Sequence, residues 1–583
     1  MKSLLDLPQS LLLLLLTASS SLALPYHQLD SVGQTVLESA ASGRRAAVAC
    51  ESKVCSQIGI DLVALGGNAV DAFIGTQLCV GVIGMYHSGL GGGGFALIRD
   101  KRGEYTVIDY RESAPAAAFE DMYRDNVKGS VFGGLATGVP GELRGLEFAH
   151  QKFGALPWHT VVEPAALVAR DGFAVTEDTI RYMEAAVRET GWNFLVEDPS
   201  WAQDFAPSGT LLTLGETMYR KRYAETLQRV AENGADVFYT GDIAEATIAM
   251  IQKYNGTMTL EDLAEYKVIT REALKITYRG FNIYSAGSPT SGAVSLSTLK
   301  TIEGYSTKAT TDVNLTMHRF DEAMRFAYGA RQELGDPAFI DVSAHEGRML
   351  DARQAAATRS HILDNSTQPV ENYASGGKGM TYTTPGHGTS HITTADGDGM
   401  AVSSTTTINL LFGNLLVVPS TGVILNNEMN DFSIPGARNE FGFEPSPANF
   451  IRAGKRPLSS ITPLIITVPD GNKGEHLFAA VGAAGGSRII SATTQVAWRV
   501  VELGEDMGSA VGAARVHDQL MPNTAVLEAG FDAAVAASLV DKGHNVTWVP
   551  LAASSVQGVR VRPDGRFEAA SENRQVASGG LTL

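Results

Sequence analysis

The stretch that most constrains this chain runs Gly388-Thr389-Ser390-His391-Ile392-Thr393-Thr394-Ala395-Asp396-Gly397-Asp398-Gly399-Met400 and on through Ala401 to Asn409. Residues 392–394 and 400–408 suit two strands, and Asp396-Gly397-Asp398-Gly399 is turn chemistry, so the segment reads as a β-hairpin. Hydroxyls are dense in it: Thr389, Ser390 and Thr393 on the first strand, Ser403 to Thr407 on the second. Threonine suits strands, and propensity alone accounts for most of them. The approach to the hairpin is unlike an ordinary linker. Residues 354–388 lose periodicity and fill with Ser, Thr, Gly and Asn, ending Thr383-Thr384-Pro385-Gly386-His387-Gly388. An exposed tract running straight into a strand is natural if the chain is to be cut there.

The 583 residues, 44% of them hydrophobic and 19% charged, are enough for one or more large cores. The net charge of −17 leaves no basic surface for phosphates, so no nucleic-acid partner is expected. The N-terminus reads as an address. Met1-Lys2 precedes the leucine run Leu11 to Leu16, and Ser21-Leu22-Ala23 is a small-x-small cleavage site, so residues 1–23 read as a secretory signal. The run is short for a bilayer span. Asn255, Asn314, Asn365 and Asn545 each begin an Asn-x-Ser/Thr sequon, which fits a glycosylated protein of the secretory route, whether secreted, vacuolar or at the cell surface. Cys50, Cys55 and Cys79 allow one disulfide and one spare thiol, and spacing does not choose the pair. There is no Cys/His cluster of zinc spacing, no EF-hand loop, no HExxH and no Walker A sequence, so neither metal nor cofactor is expected.

Residues 51–82 read as two helices broken at Gly66-Gly67, with a new start at Asn68. Ser88-Gly89-Leu90-Gly91-Gly92-Gly93-Gly94 contains a formal GxGxxG, but a strand hairpin follows it, not a helix. That is the wrong context for a dinucleotide and the right one for very close backbone packing. Arg111 ends the hairpin and is either a surface cation or a carboxylate clamp. Thr259-Leu260-Glu261-Asp262 is a capping-box start within a largely helical stretch, residues 130–380. Downstream, Glu428 and Asp431 place carboxylates three apart, and Ser459-Ser460 precedes a strand over 461–468. A strand over 477–481 enters Gly482-Ala483-Ala484-Gly485-Gly486-Ser487, which opens a helix at Arg488. Free backbone N–H groups at such a helix start suit an anion or oxyanion.

Together Ser88–Gly93, Arg111-Glu112, Gly388-Thr389-Ser390-His391, Ser404–Gly413, Gly422–Phe432, Pro457-Leu458-Ser459-Ser460 and Gly482–Gly486 resemble the gamma-glutamyltransferase (gamma-glutamyltranspeptidase) family of N-terminal-nucleophile hydrolases. The resemblance implies an α+β fold, a four-layer αββα sandwich. It implies self-cleavage at Gly388-Thr389 into a large subunit, 24–388, and a small one, 389–583, that stay together as a heterodimer. Thr389 is then the nucleophile, Thr407 its hydrogen-bond partner, and Gly485 and Gly486 the oxyanion donors. Asn409, Glu428 and Asp431 would bind the substrate's α-ammonium, and Arg111, Ser459 and Ser460 its α-carboxylate. Cys55 and Cys79 would pair, as in animal members. Phe441 stands where bacterial members often carry a lid Tyr, which suggests a more open acceptor side.

The chemistry fits the residues. A threonine hydroxyl needs a base beside it, and a freed α-amine with a pKa of about 8 can be that base. The expected reaction moves a γ-glutamyl group from glutathione or a conjugate to Thr389, then to water, an amino acid or a dipeptide. Two rivals share the scaffold: a β-lactam acylase or poly-γ-glutamate transferase, and an uncleaved homologue acting as a secreted binding protein. An acylase has no use for the amino-acid clamp.

Overall fold

The computed structural model describes residues 45–306, 312–373, 388–437, 445–471, 474–551 and 553–583. The segment read as a signal (1–23), the end of the tract before the hairpin (374–387) and Phe441 lie outside the described residues. Among the described residues no helix is long and apolar enough to cross a membrane.

Two antiparallel sheets form the centre. The seven-stranded one runs, edge to edge, Gly579–Thr582, Ala46–Cys50, Gly388–Asp396, Ala401–Asn409, Gly93–Arg99, Tyr105–Asp109, Ile269–Arg271. The six-stranded one runs Phe567–Ala570, Ser555–Val561, Glu475–Ala484, Leu464–Pro469, Phe281–Ala286, Ala273–Tyr278. Strand alternation assigns each residue to a layer. Ala47, Ala49, Leu97, Val107, Ala395 and Ala401 of the first sheet meet Tyr284, Ala286, Ile465, Leu477, Ala480 and Val559 of the second. Their neighbours Ala96, Ile98, Ile108, Ile392, Val402 and Ile408 face the other way, toward the helices Lys53–Ala64, Ala69–Ile83, Trp158–Asp171 and Lys221–Asn233. On the far side Ile276, Ile283, Leu464, Ile466, Ala479 and Val481 pack on Gly292–Glu303, Val313–Arg331 and Arg488–Trp498. The result is the expected αββα sandwich.

The local expectations mostly appear as read. Asn68 opens the second helix with a capping box: its side chain accepts from the Val70 and Asp71 N–H groups, and Asp71 accepts from Asn68 N at 2.9 Å. A Cys55–Cys79 disulfide ties the start of the first helix to the end of the second, leaving Cys50 buried and free. Thr259 caps Leu260–Ala264 with the expected box. All four sequon asparagines are exposed. One reading is corrected. Residues 354–361 are not part of an aperiodic tract but belong to the helix Ala352–His361, started by the Asp351 side chain accepting from Arg353 N. Its Arg, Gln and Ala residues are strong helix formers, and only Ala355 is buried, so no apolar stripe announced it.

Candidate active site

The hairpin consists of Gly388–Asp396 and Ala401–Asn409, with Thr389 opposite Thr407, His391 opposite Thr405 and Thr393 opposite Ser403. Its inward face grades from apolar to polar. Ala395 and Ala401 close the turn end inside the inter-sheet core. Next, Thr393 Oγ1 donates to Gln557 O at 3.2 Å and Ser403 Oγ to Val481 O at 3.1 Å. His391 Nδ1 lies 2.8 Å from Thr405 Oγ1, and a Cβ on Gly482 of the facing sheet would sit 2.2 Å from the His391 ring. Burial pulls the His391 pKa down to about 3, so the ring is neutral at physiological pH. The outward face is just as engaged: Ser390 donates to Glu51, Thr394 to Ala69 O, Ser404 to Gln77 Oε1 and Thr406 to Glu142. The hydroxyl density is therefore more than strand propensity. Each of these groups is buried and bonded, as burial requires.

The inward face ends in a cavity, where Thr389 and Thr407 stand with their hydroxyls 3.3 Å apart. Thr407 Oγ1 donates to Gly388 O at 2.7 Å and accepts from Asn409 N at 2.7 Å. With its proton committed to Gly388 O, Thr407 takes the acceptor role toward Thr389. A bulge between Thr407 and Asn409 creates this arrangement, and Asn409 takes φ 71° there. The glycine loop holds the bulged strand from behind: a Cβ at Gly92 would lie 2.1 Å from Thr407 O, and one at Gly94 2.1 Å from Thr405 O. The close-packing reading of that loop is thereby explained.

The same cavity brings together residues far apart in sequence: Arg111, Asn409, Glu428, Asp431, Ser459, Ser460 and Gly486 all line it. Gly485 (φ 125°) and Gly486 (φ 60°) form the turn from the strand Glu475–Ala484 into the helix Arg488–Trp498. Arg111, far from being a surface cation, is 1% exposed. It pairs with both Glu428 and Asp431. Burial would depress its pKa, but Glu428, Asp431 and Glu112 outweigh that and hold it above its ordinary value. The expected halves of an amino-acid clamp are thus closed on one another. Glu112, not expected as a participant, flanks Gly138 together with Glu428. Burial pushes Glu112 up to about 7 despite the opposing Arg111 charge, and Glu428 well up. Three carboxyls crowd one guanidinium here, and their mutual repulsion adds to burial in disfavouring the charged forms of Glu112 and Glu428. Asn409 Nδ2 donates to Asn427 O at 2.9 Å, which orients its amide.

Arg331, the last residue of Val313–Arg331, also lines the cavity. No sequence pattern marks it for the site, since a cation in a helix's last turn is ordinary. Elsewhere, among the described residues, His318, Glu322, His544, Asp321 and Asp518 make the groupings nearest to a metal site. They are occupied with one another. His318 Nδ1 and His544 Nε2 are 2.8 Å apart, His318 Nε2 bonds Leu363 O at 2.7 Å, and His544 Nδ1 lies 3.1 Å from Asp321.

Two stacked antiparallel sheets between helices, with a threonine opening a central strand into a polar cavity, define an N-terminal-nucleophile hydrolase architecture. The comparisons agree. The family model described as gamma-glutamyltranspeptidase matches residues 55–581, so the chain belongs to that family. It is 48% identical over 555 residues to the glutathione hydrolase proenzyme of Arthroderma benhamiae, covering 93% of each chain. It is 45% identical over 540 residues to the glutathione hydrolase of Aspergillus flavus, covering 92% of this chain and 89% of that one. Among solved structures, cephalosporin acylase from Bacillus halodurans matches with TM-score 0.79 and 26% identity over 92% of this chain and 96% of that one. Gamma-glutamyltranspeptidase from Helicobacter pylori matches with TM-score 0.51 and 30% identity, covering 54% of this chain and 91% of that one.

Proposed function

We propose that this chain is the precursor of a glutathione hydrolase and γ-glutamyltransferase, cut between Gly388 and Thr389, with Thr389 as nucleophile. The observation that carries the reading is the shared cavity: one hydroxyl pair, Thr389 and Thr407, opens onto the Arg111–Glu428–Asp431 cluster and onto Ser459-Ser460. Only a substrate with an amide to attack and an amino-acid head to hold uses both halves.

Maturation comes first. Thr389 Oγ adds to the Gly388 carbonyl carbon, the peptide nitrogen takes the hydroxyl proton and leaves, and the resulting ester is hydrolysed by water. Thr407 Oγ1, 2.7 Å from Gly388 O, polarises the carbonyl under attack. The products are a large subunit ending at Gly388 and a small one beginning with a free amine at Thr389. That amine is the base for the second reaction. Thr389 Oγ attacks the γ-amide carbon, and the Gly485 and Gly486 N–H groups receive the oxyanion. The amine of the leaving peptide carries away the proton. Water, or the amine of an amino acid or dipeptide, then takes the γ-glutamyl group from the ester.

The amino-acid head opens the closed clamp. Its α-carboxylate joins Arg111, Ser459 and Ser460, and its α-ammonium joins Glu428, Asp431 and Asn409. The Bacillus halodurans likeness raises the acylase alternative. A buried Arg111 paired with two carboxylates argues against it, because an acyl chain without an α-amino acid head would leave those charges without use. The test is release of the chromogenic amine from a γ-glutamyl anilide. Wild type releases it; Thr389→Ala remains a single uncut chain and releases none. A Thr389→Ala protein that is still cut and still active sinks the proposal.

A further inference from the structure

Arg331 reaches the Ser459-Ser460 turn from the other side of the cavity. Its Nη2 donates to Ser460 Oγ at 3.3 Å and its Nε to Ser291 Oγ at 2.8 Å. Ser291 Oγ in turn donates to Ser459 O at 2.6 Å, and Ser291 N to Ile461 O at 3.0 Å. Ser459 N donates to Pro289 O at 2.7 Å, and Ser459 Oγ accepts from Ile461 N at 3.1 Å. The turn is therefore gripped by the 289–291 loop and by Arg331.

The polarity of these bonds matters more than their number. A guanidinium donates and never accepts. A serine hydroxyl that accepts from it must aim its own proton elsewhere. Ser460 and Ser459 both line the cavity, and with Ser460 accepting from Arg331 and Ser459 from a backbone N–H, each keeps its own proton to donate. Two donors side by side suit a carboxylate.

Charge points the same way. Arg111 already carries Glu428 and Asp431, so a substrate carboxylate arriving there meets anions as well as a cation. One guanidinium, Arg111, thus stands among three carboxyls, Glu112, Glu428 and Asp431. Arg331, 6% exposed, adds a second cation to this acid-rich cavity, where a substrate carboxylate needs one. Burial lowers the Arg331 pKa to about 10, which leaves it protonated at neutral pH.

We propose that Arg331 is a positioning residue of the α-carboxylate subsite, fixing the Ser460 hydroxyl as a donor and supplying the positive charge that Arg111 shares with Glu428 and Asp431. The inference rests on the γ-glutamyl reading of the cavity. It assigns a large-subunit residue to a site whose serines lie in the small subunit.

The experiment compares wild type, Arg331→Gln, Arg331→Lys, Ser460→Ala and the Arg331→Gln/Ser460→Ala double variant on a γ-glutamyl anilide, with subunit cleavage followed on a gel. Arg331→Gln is expected to be cleaved normally and to raise KM by about 10- to 100-fold, the size of a lost hydrogen bond involving a charged group. Its kcat should stay within about threefold, because the lost contact holds the head of the substrate and not the reacting atoms. Arg331→Lys should recover part of KM by keeping the charge. The double variant should lose less than the product of the two single losses. A wild-type KM in Arg331→Gln, a fall in kcat alone, or strictly multiplicative losses would overturn the inference. If Arg331→Gln does not fold, Arg331→Lys decides: a KM raised severalfold with cleavage intact supports the role, and a wild-type KM refutes it. A wild type inactive on the anilide would instead refute the γ-glutamyl reading itself.

Discussion

Thr407→Val tests the maturation geometry at almost constant volume. The substitution replaces one hydroxyl by a methyl and removes three interactions: the bond to Gly388 O (2.7 Å), the bond from Asn409 N (2.7 Å) and the contact with Thr389 Oγ1 (3.3 Å). The first acts on rate. A hydrogen bond to an oxygen gaining charge contributes about 1.5–3 kcal/mol, so cleavage should slow by about 10- to 150-fold. The second acts on stability. An orphaned buried N–H at Asn409 costs about 1–3 kcal/mol, a visible fall in Tm. Thr407→Ser keeps the hydroxyl and should stay within a few-fold of wild type in both. The assay is a pulse-chase, with loss of the single-chain precursor followed on a denaturing gel and thermal unfolding measured on uncut protein. Cleavage of Thr407→Val at the wild-type rate, or Thr407→Ser as slow as Thr407→Val, would refute the reasoning.

Three further outcomes follow from the fold. His391 titrates near 6.5 in the unfolded chain and near 3 in the folded one, so the unfolded state binds the extra proton between those values and stability falls as pH falls through that window. In His391→Asn the slope of unfolding free energy against pH should be shallower than in wild type by about 1.4 kcal/mol per pH unit across the window; parallel slopes would contradict a neutral buried ring. Gly92→Ala places a Cβ 2.1 Å from Thr407 O, backbone that cannot step aside, so the expected result is an uncleaved or unstable chain, and normal maturation would show that the loop does not brace the strand. Replacing Cys55 and Cys79 by Ser opens a loop of separation 24, for which chain entropy predicts a loss of about 3.5 kcal/mol; an unchanged Tm in oxidised protein would argue against that contribution.

What the sequence made legible was local. Alternation and turn chemistry located the hairpin within a few residues, because register follows from a period of two and a turn. The glycine loop was readable because only backbone contact demands four consecutive small residues. Arg111 could be read as a clamp only through resemblance, since its partner Asp431 is 320 positions downstream and no local pattern links them. Glu112 and Arg331 were missed for the same reason: their meaning comes from which elements cross the cavity. The helix Ala352–His361 was missed because an exposed helix carries no apolar period. The hydroxyls of the hairpin were undervalued because their partners, such as Gln557, Val481 and Glu142, lie on other elements.

The central claim is that Thr389 becomes a chain terminus and acts from there. N-terminal sequencing of the smaller subunit of the purified protein tests it most directly. The sequence expected is Thr389-Ser390-His391; a chain that stays whole while hydrolysing a γ-glutamyl anilide, or a fragment beginning at any other residue, would contradict it.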